Sequence, residues 1–466
     1  VLLVLACCLF APLVALTIVL RARRSRTRTI GFLHPYCNAG GGGERVLWCG
    51  IDSLVRRFHG QPVRIVVYTG DAHIRPAESL DQAQRRFNIN IDRETLSPGH
   101  APQLVFCPVR ARPLVEARLY PAFTMLGQSL GSMLLGLEAL CRDPPHMWVD
   151  TTGFAFTYPL AKLAGCRVAT YTHYPTISTD MLSLVASRRP SYNNDARVAT
   201  STARSRVKLI YYRLFAWAYG LAGRSADLVM VNSTWTRDHI VHLWGNPQRT
   251  HIVYPPCDTS DMLAAADRAA GQPRKRVAVS VGQFRPEKDH ALQIRALRAL
   301  HDSSDRFHDV QLLLIGSCRG PDDERRVDEL KSLARELGLQ TAVQFQVNAP
   351  YDVMRTAMVS SEVGLHTMWN EHFGICVVEM MACGLITIAH NSGGPRADIV
   401  RDVDGTPSGF LASTPAEYAD AMAMAFDGCR RIPGGSEAVR RAARAQCARF
   451  SQGSFAEQFV KWLDHR

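Results

Sequence analysis

Arg285 and Lys288 close the segment Val281-Gly282-Gln283-Phe284-Arg285-Pro286-Glu287-Lys288. Their chemistry suits a diphosphate: an arginine fork grips two phosphate oxygens at once, whereas a lysine acts as a point charge. Glu371 and Glu379 lie on either side of the turn Phe373-Gly374, in Glu371-His372-Phe373-Gly374-Ile375-Cys376-Val377-Val378-Glu379. A helix starting after that turn aims its N–H groups at whatever Glu371 touches. Glu379, on an apolar helix face beside Val378 and Met380, is expensive to bury unless it is bonded. A sugar or ribose hydroxyl would satisfy it. Asn391-Ser392-Gly393-Gly394-Pro395 promises a further ring of backbone donors at the same edge. Earlier in the chain, Gly40-Gly41-Gly42-Gly43 places backbone N–H groups at a helix start, a cradle for an anion. It is not a P-loop, because no Gly-Lys-Ser/Thr follows, and no acidic strand end follows at the distance a dinucleotide site needs. Two plainer readings stay open on these residues alone: a flexible turn for the glycines and a solvated loop for Arg285 and Lys288.

The chain between these segments alternates as an α/β protein. Residues 29–33 read as a strand, 34–43 as a glycine-rich loop and 44–58 as a helix with Leu47, Ile51, Leu54, Val55 and Phe58 as its buried stripe. Strands at 63–68, 147–150, 167–171 and 228–232 predict a parallel sheet with crossover helices. Pro255-Pro256 and the loose stretch to Arg276 read as a connection, 256–276. The alternation then restarts, with strands at 277–281, 311–315, 343–346, 363–366 and 385–389 and a charged helix at 322–337. Two doubly wound Rossmann-like domains, 29–255 and 277–450, are expected to face each other across a cleft. In such folds ligands bind outside the carboxyl ends of the strands. A last helix at 455–464, within 451–466, carries Phe455, Phe459 and Trp462 on one side and is expected to dock back across the domains.

At 47% hydrophobic and 21% charged residues the chain can bury a large core, which excludes disorder or coiled coil as its main state. Lys+Arg 54 against Asp+Glu 42 gives +12, but five of the positives are Arg21, Arg23, Arg24, Arg26 and Arg28. The remainder is mildly basic, so phosphate-bearing substrates or an anionic membrane surface are expected and nucleic acid is not. Residues 1–20 carry no charge and would span about 30 Å as a helix, the thickness of a bilayer core. With the basic segment 21–28 directly after them they read as a single-span anchor that leaves the rest of the chain in the cytosol. A second apolar stretch, 119–137, puts Leu126, Leu130, Met133, Leu134 and Leu137 on one helical face, as either a core helix or a membrane-dipping one. The thirteen cysteines include no C-x-x-C pair and no zinc spacing, so reduced, buried thiols in a reducing compartment are expected. Asn232-Ser233-Thr234 then reads as an unmodified turn. Asp402-Val403-Asp404 has the D-x-D form that can hold a divalent cation, but Gly405 follows and a surface turn is the better reading.

Gly282-x5-Lys288, Glu371-x7-Glu379 and the first-half glycine loop together resemble glycosyltransferase family 4, retaining enzymes of the GT-B fold. The runs at 34–48, 173–182, 231–236, 253–258, 281–288 and 366–375 resemble one eukaryotic branch of that family, over roughly residues 29–412. The chain departs from that pattern at 187–205, at 261–276 and beyond 412. The branch transfers α-1,2-linked mannose from GDP-mannose to dolichol-diphosphate-linked Man3GlcNAc2, twice in succession, at the cytosolic face of the endoplasmic reticulum. The resemblance implies that Arg285 and Lys288 neutralise the leaving diphosphate near Gly282. It implies that Glu379 holds the ribose, and that Glu371 with the Phe373-Gly374-Ile375 backbone holds the mannose hydroxyls. It also places His173 beside the reacting carbon and Gly40, Gly41, Gly42 and Gly43 near the phosphates and acceptor. It implies no metal, and as partners the membrane and other glycosyltransferases of the same pathway. The absence of a convincing first-half nucleophile suggests front-face transfer. The alternatives are a same-fold transferase with another nucleotide sugar or lipid acceptor, a non-catalytic membrane-anchored scaffold, and a phosphate-sugar epimerase.

Overall fold

The computed structural model describes residues 14–177 and 202–464. They form two compact units: the first runs to Val253 apart from Ser233–Trp235 and takes back the chain from Phe455, and the second holds Ser233–Trp235 and Tyr254–Ser454. The first unit is a seven-stranded parallel sheet of β1 (Arg28–Leu33), β2 (Val63–Thr69), β3 (Gln103–Pro108), β4 (Met147–Asp150), β5 (Arg167–Thr172), β6 (Leu228–Val231) and β7 (Thr250–Ile252). Their order is β3-β2-β1-β4-β5-β6-β7. The central strands are buried along nearly their whole length, which is why they read as continuous apolar runs rather than alternating ones. The two edge strands, β3 and β7, are absent from the sequence reading. β3 is only half-buried and closes on Pro108, and β7 has three residues, too few to show a period.

The helix Gly42–Arg57 follows β1, with Glu44 in its first turn and Arg56 and Arg57 in its last, the signs its dipole favours. Leu47, Ile51 and Leu54 are buried in the core, while Val55 is only partly covered. The helix Thr124–Arg142 divides its apolar residues: Leu135, Ala139 and Leu140 are buried, but Leu126, Leu130 and Leu134 of the expected stripe are exposed. The helix Thr202–Gly223 does the same, with Phe215 and Tyr219 inward and Val207, Ile210, Leu214 and Trp217 outward. Among the described residues no helix is long and apolar enough to cross a membrane. Of the anchor expected at 1–20, residues 1–13 lie outside the described residues, and 14–22 are helical with Leu20 buried and Val14, Ile18 and Val19 exposed. Residues 178–182 of the 173–182 run also lie outside them.

The chain's last helix, Gln452–Asp464, contributes Phe455, Phe459 and Leu463 to the core that β1 and β2 build. A Cβ on Gly50 would stand 3.0 Å from the Phe459 ring, so the glycine is what lets the two helices approach. Trp462 packs against the same core, partly buried, and stacks on His251 with ring centroids 3.5 Å apart.

The second unit has six parallel strands in one sheet: β8 (Lys275–Val281), β9 (Gln311–Gly316), β10 (Val343–Val347), β11 (Ser361–His366), β12 (Ile386–His390) and, after a hairpin, β15 (Phe410–Ala412). The order is β10-β9-β8-β11-β12-β15. The hairpin, β13 (Asp402–Val403) and β14 (Thr406–Pro407), turns at Asp404-Gly405, both at positive φ of 50° and 76°. This is the turn that matches strand twist, and it contains the D-x-D segment. The stretch 256–276 is not an open connection. It folds into the second unit as the helix Thr259–Arg268, with Met262 buried, and β8 begins at Lys275.

In each sheet the strand order reverses once, between β1 and β4 and between β8 and β11. Crevices at such switch points are where doubly wound sheets hold ligands. The Gly40–Gly43 loop follows β1, the Gly282–Lys288 loop follows β8 and the Glu371 loop follows β11.

Candidate active site

In the second unit Lys288 Nζ lies 2.5 Å from Glu371 Oε2, and His366 Nε2 reaches the same oxygen at 3.2 Å. Pairing of β8 with β11 brings their following loops side by side: Lys288 ends the single turn Pro286–Lys288, His366 ends β11, and Glu371 follows five residues on. Burial alone would raise the Glu371 carboxyl, but Lys288 and His366 outweigh it and hold the group well below the usual carboxylate range. Burial likewise opposes charge on His366, and Cys376 and Glu371 overcome it, pushing the imidazole up to about 9. The result is an ionised carboxylate fixed between two cations. His290 goes the other way, pressed down to about 4 by burial and by Lys288.

A second layer holds the backbone under the lysine. Thr367 Oγ1 donates to Lys288 O at 2.8 Å, and Gln293 Nε2 donates to Thr367 Oγ1 at 2.8 Å and to Ser280 Oγ at 3.0 Å. His366 and Thr367 open the matched run 366–375, but neither they nor Gln293 were singled out as site residues from the sequence. The available signal was the polar pair His366-Thr367 closing an otherwise apolar strand end. A Cβ on Gly282 would be 3.7 Å from Lys288 Cδ, so the lysine stem passes over the glycine. Arg285 has 42% of its side chain exposed and approaches Glu287 at 3.9 Å, which leaves the guanidinium open to a ligand. Glu379 lies on the helix Ile375–Ala382 and faces other neighbours: burial, Asp258, Asp261 and Glu379 itself raise the Tyr351 hydroxyl.

Gly374 precedes that helix at φ 108°, backbone that only glycine adopts without strain. Phe373 is buried, its ring against Tyr254 and Phe450 at centroid distances of 5.8 and 5.3 Å. The segment 391–395 does not offer the expected ring of donors. Asn391, Ser392 and Gly394 N–H groups are committed to Ala412 O, His390 O and Glu371 O. Its part is to brace the Glu371 loop: a Cβ on Gly394 would lie 2.6 Å from Phe373 Cα, and one on Gly393 2.3 Å from Glu371 O.

In the first unit, Gly41 N–H donates to Glu44 Oε2 at 2.6 Å, and Glu44 Oε1 lies 3.8 Å from His34 Nε2. His34 Nδ1 is in turn 2.7 Å from Thr151 Oγ1. Burial would raise Glu44, but His34 and the Gly41 N–H lower it. Glu44 was not singled out from sequence, although an acid at the third helical position is a capping signature. A Cβ on Gly43 would come within 3.6 Å of His173 Nε2, so the glycine loop and His173 are neighbours. The His173 carbonyl accepts from Asn232 Nδ2 at 2.7 Å, and Asn232 is buried, which leaves no accessible amide for a glycan. Asp150, fully buried at the end of β4, accepts from Tyr158 Oη at 2.7 Å and from Thr152 N at 2.9 Å. Both carboxylates are committed to groups of the protein.

A sequence profile described as ALG11 mannosyltransferase N-terminus matches residues 27–244, and one described as Glycosyl transferases group 1 matches 265–428. Over 437 residues the chain is 48% identical to the GDP-Man:Man(3)GlcNAc(2)-PP-Dol alpha-1,2-mannosyltransferase of Mus musculus, covering 92% of this chain and 85% of that one. The chain belongs to the ALG11 mannosyltransferase family. The Homo sapiens protein of the same name is 47% identical over 441 residues, with 93% and 86% covered. Among solved structures, this ALG11-family chain resembles the trehalose 6-phosphate synthase of Burkholderia multivorans with a TM-score of 0.64 at 12% identity, covering 94% of this chain and 98% of that one. It resembles Anabaena HepE, solved with UDP and glucose, with a TM-score of 0.58 at 17% identity, covering 94% and 99%. The fold is therefore GT-B-like. Within the ALG11-family chain, the N-terminus match contains Gly40–Gly43 and His173, and the group 1 match contains Arg285, Lys288, Glu371 and Glu379.

Proposed function

We infer that this chain transfers α-1,2-linked mannose from GDP-mannose to dolichol-diphosphate-linked Man3GlcNAc2, in two successive additions. The observation that carries the reading is identity of 47–48% to mannosyltransferases of that name over 92–93% of the chain, so that both units are covered. Arg285 and Lys288 neutralise the departing diphosphate, the electrostatic contribution that usually dominates such transfers. Glu379 holds the ribose. Glu371, with the backbone at Phe373, Gly374 and Ile375, holds the mannose hydroxyls, and His173 and the Gly40–Gly43 loop serve the reacting carbon and the phosphates.

Transfer proceeds with retention at the front face, the leaving phosphate taking the acceptor's proton. The committed carboxylates Glu44 and Asp150 favour this over a covalent intermediate; a trapped glycosyl-enzyme would overturn it. No metal takes part. The chain works at the cytosolic face of the endoplasmic reticulum membrane, beside other glycosyltransferases of its pathway. The uncharged residues 1–20, the arginines that follow and the exposed apolar stripes of Thr124–Arg142 and Thr202–Gly223 support membrane contact.

The test is transfer from GDP-mannose to a short-lipid Man3GlcNAc2-diphosphate in the presence of EDTA, with products resolved by mass. Products heavier by one and by two hexoses are expected. GDP-mannose binding without transfer would overturn the acceptor assignment, and absence of both would favour a non-catalytic scaffold.

A further inference from the structure

We propose that His366 is a positioning residue that frees Lys288 for the donor: by holding Glu371 Oε2, it lets the lysine turn from that carboxylate to the diphosphate without leaving the carboxylate unpaired. This rests on the donor site inferred above. The geometry behind it is the convergence of two side chains on one oxygen, Lys288 Nζ at 2.5 Å and His366 Nε2 at 3.2 Å. Glu371 is buried, and an ionised carboxylate in that setting is costly once its partner leaves. A lysine that alone neutralised Glu371 would have to break that pair for every donor it bound. His366 removes the conflict. It is itself buried at the end of β11, its backbone carbonyl accepts from Tyr418 Oη at 2.7 Å, and it does not depend on the donor to stay in place.

The groups that face His366 are Glu371 and Cys376 on its own side of the sheet, Lys288 across the shared carboxylate, and His290 and His390. Burial lowers both of these histidines, so they bring no competing charge. Cys376 and Glu371 hold the His366 proton up to about pH 9.

The experiment measures GDP affinity by calorimetry in the full chain, with His366→Leu and His366→Gln each made alone and combined with Glu371→Gln, and folding checked by thermal melting. His366→Leu is expected to weaken GDP about tenfold by letting Glu371 capture Lys288, a coupling of ordinary size. In the Glu371→Gln background, where nothing captures the lysine, the same change should have no effect. His366→Gln, which keeps a donor but not the charge, should give a smaller loss. The wild type is expected to lose GDP affinity as pH rises through about 9, and His366→Gln to abolish that fall. If His366→Leu does not fold, His366→Gln decides on the same comparison. Equal losses in both backgrounds, or none in either, would overturn the proposal. Failure of the wild type to bind GDP would instead overturn the donor-site reading itself.

Discussion

Gly394 N–H donates to Glu371 O at 2.8 Å, so the loop after β12 holds the loop after β11 by its backbone. The contact is possible because neither Gly393 nor Gly394 has a side chain. A Cβ on Gly394 would meet main-chain atoms of Phe373 at 2.6 and 2.7 Å, which cannot swing aside as a flexible side chain would.

Gly394→Ala should therefore displace the Glu371 loop. We expect a loss of roughly 1–3 kcal/mol in unfolding free energy, the usual scale for overpacking, and at least a tenfold fall in transfer rate. Denaturant titration with a transfer assay on the same preparation checks both. Unchanged transfer would mean that the loop tolerates the shift.

Arg285 and Lys288 should separate activity from stability. Arg285 is 42% exposed on its side chain and its nearest ion partner is 3.9 Å away, so Arg285→Ala should change stability by no more than about 0.5 kcal/mol. Lys288→Met removes one of the two cations on a buried carboxylate and should cost stability as well. Both should lower transfer about a hundredfold or more, the scale for losing a group that meets developing charge. Melting curves beside initial rates distinguish them.

Stability should depend on pH at both ends. The Glu371 carboxyl is depressed, so its contribution is complete above its ordinary value of 4.5 and is lost as pH falls below that. The His366 imidazole is raised, so its contribution is complete below its ordinary 6.5 and is lost as pH rises through about 9. A plateau between about pH 5 and 6.5 is expected, with decline on either side, and Glu371→Gln should flatten both limbs. Urea denaturation across pH, wild type against variant, measures this.

Phe459 is fully buried against Gly50 in the first unit. Phe459→Ala should lower unfolding free energy by about 3–5 kcal/mol, the range for emptying an aromatic core site. Leu463→Ala should cost about 2–5 kcal/mol. A two-stage melt in which one transition moves and the other stays would confine the damage to one unit.

What could be read from the sequence follows what is contiguous in it. The Gly40–Gly43, Gly282–Lys288 and Glu371–Glu379 segments each carry their signal within a few residues, and the central strands announce themselves as apolar runs. His366 lies within five residues of Glu371, but its role does not show in that run, because its competitor Lys288 follows a different strand and only the β8–β11 pairing unites them. The donors of Asn391, Ser392 and Gly394 were misread for the opposite reason: a loop rich in N–H groups looks like a ligand cradle until its internal acceptors are known. The helix Thr259–Arg268 was missed although its three consecutive alanines favour a helix, because Pro255-Pro256 before it and Gly271-Gln272-Pro273 after it give the whole stretch the look of a linker.

Phe455, Phe459 and Leu463, near the end of the chain, complete a core whose other walls are β1, β2 and the helix Gly42–Arg57. During synthesis the first unit's sheet thus emerges before the second unit, but its core cannot be finished until the second unit has been made. Its apolar groove beside Gly50 stays open while the entire second unit is being translated. A stop codon in place of Phe455 would leave the second unit whole and strike the first.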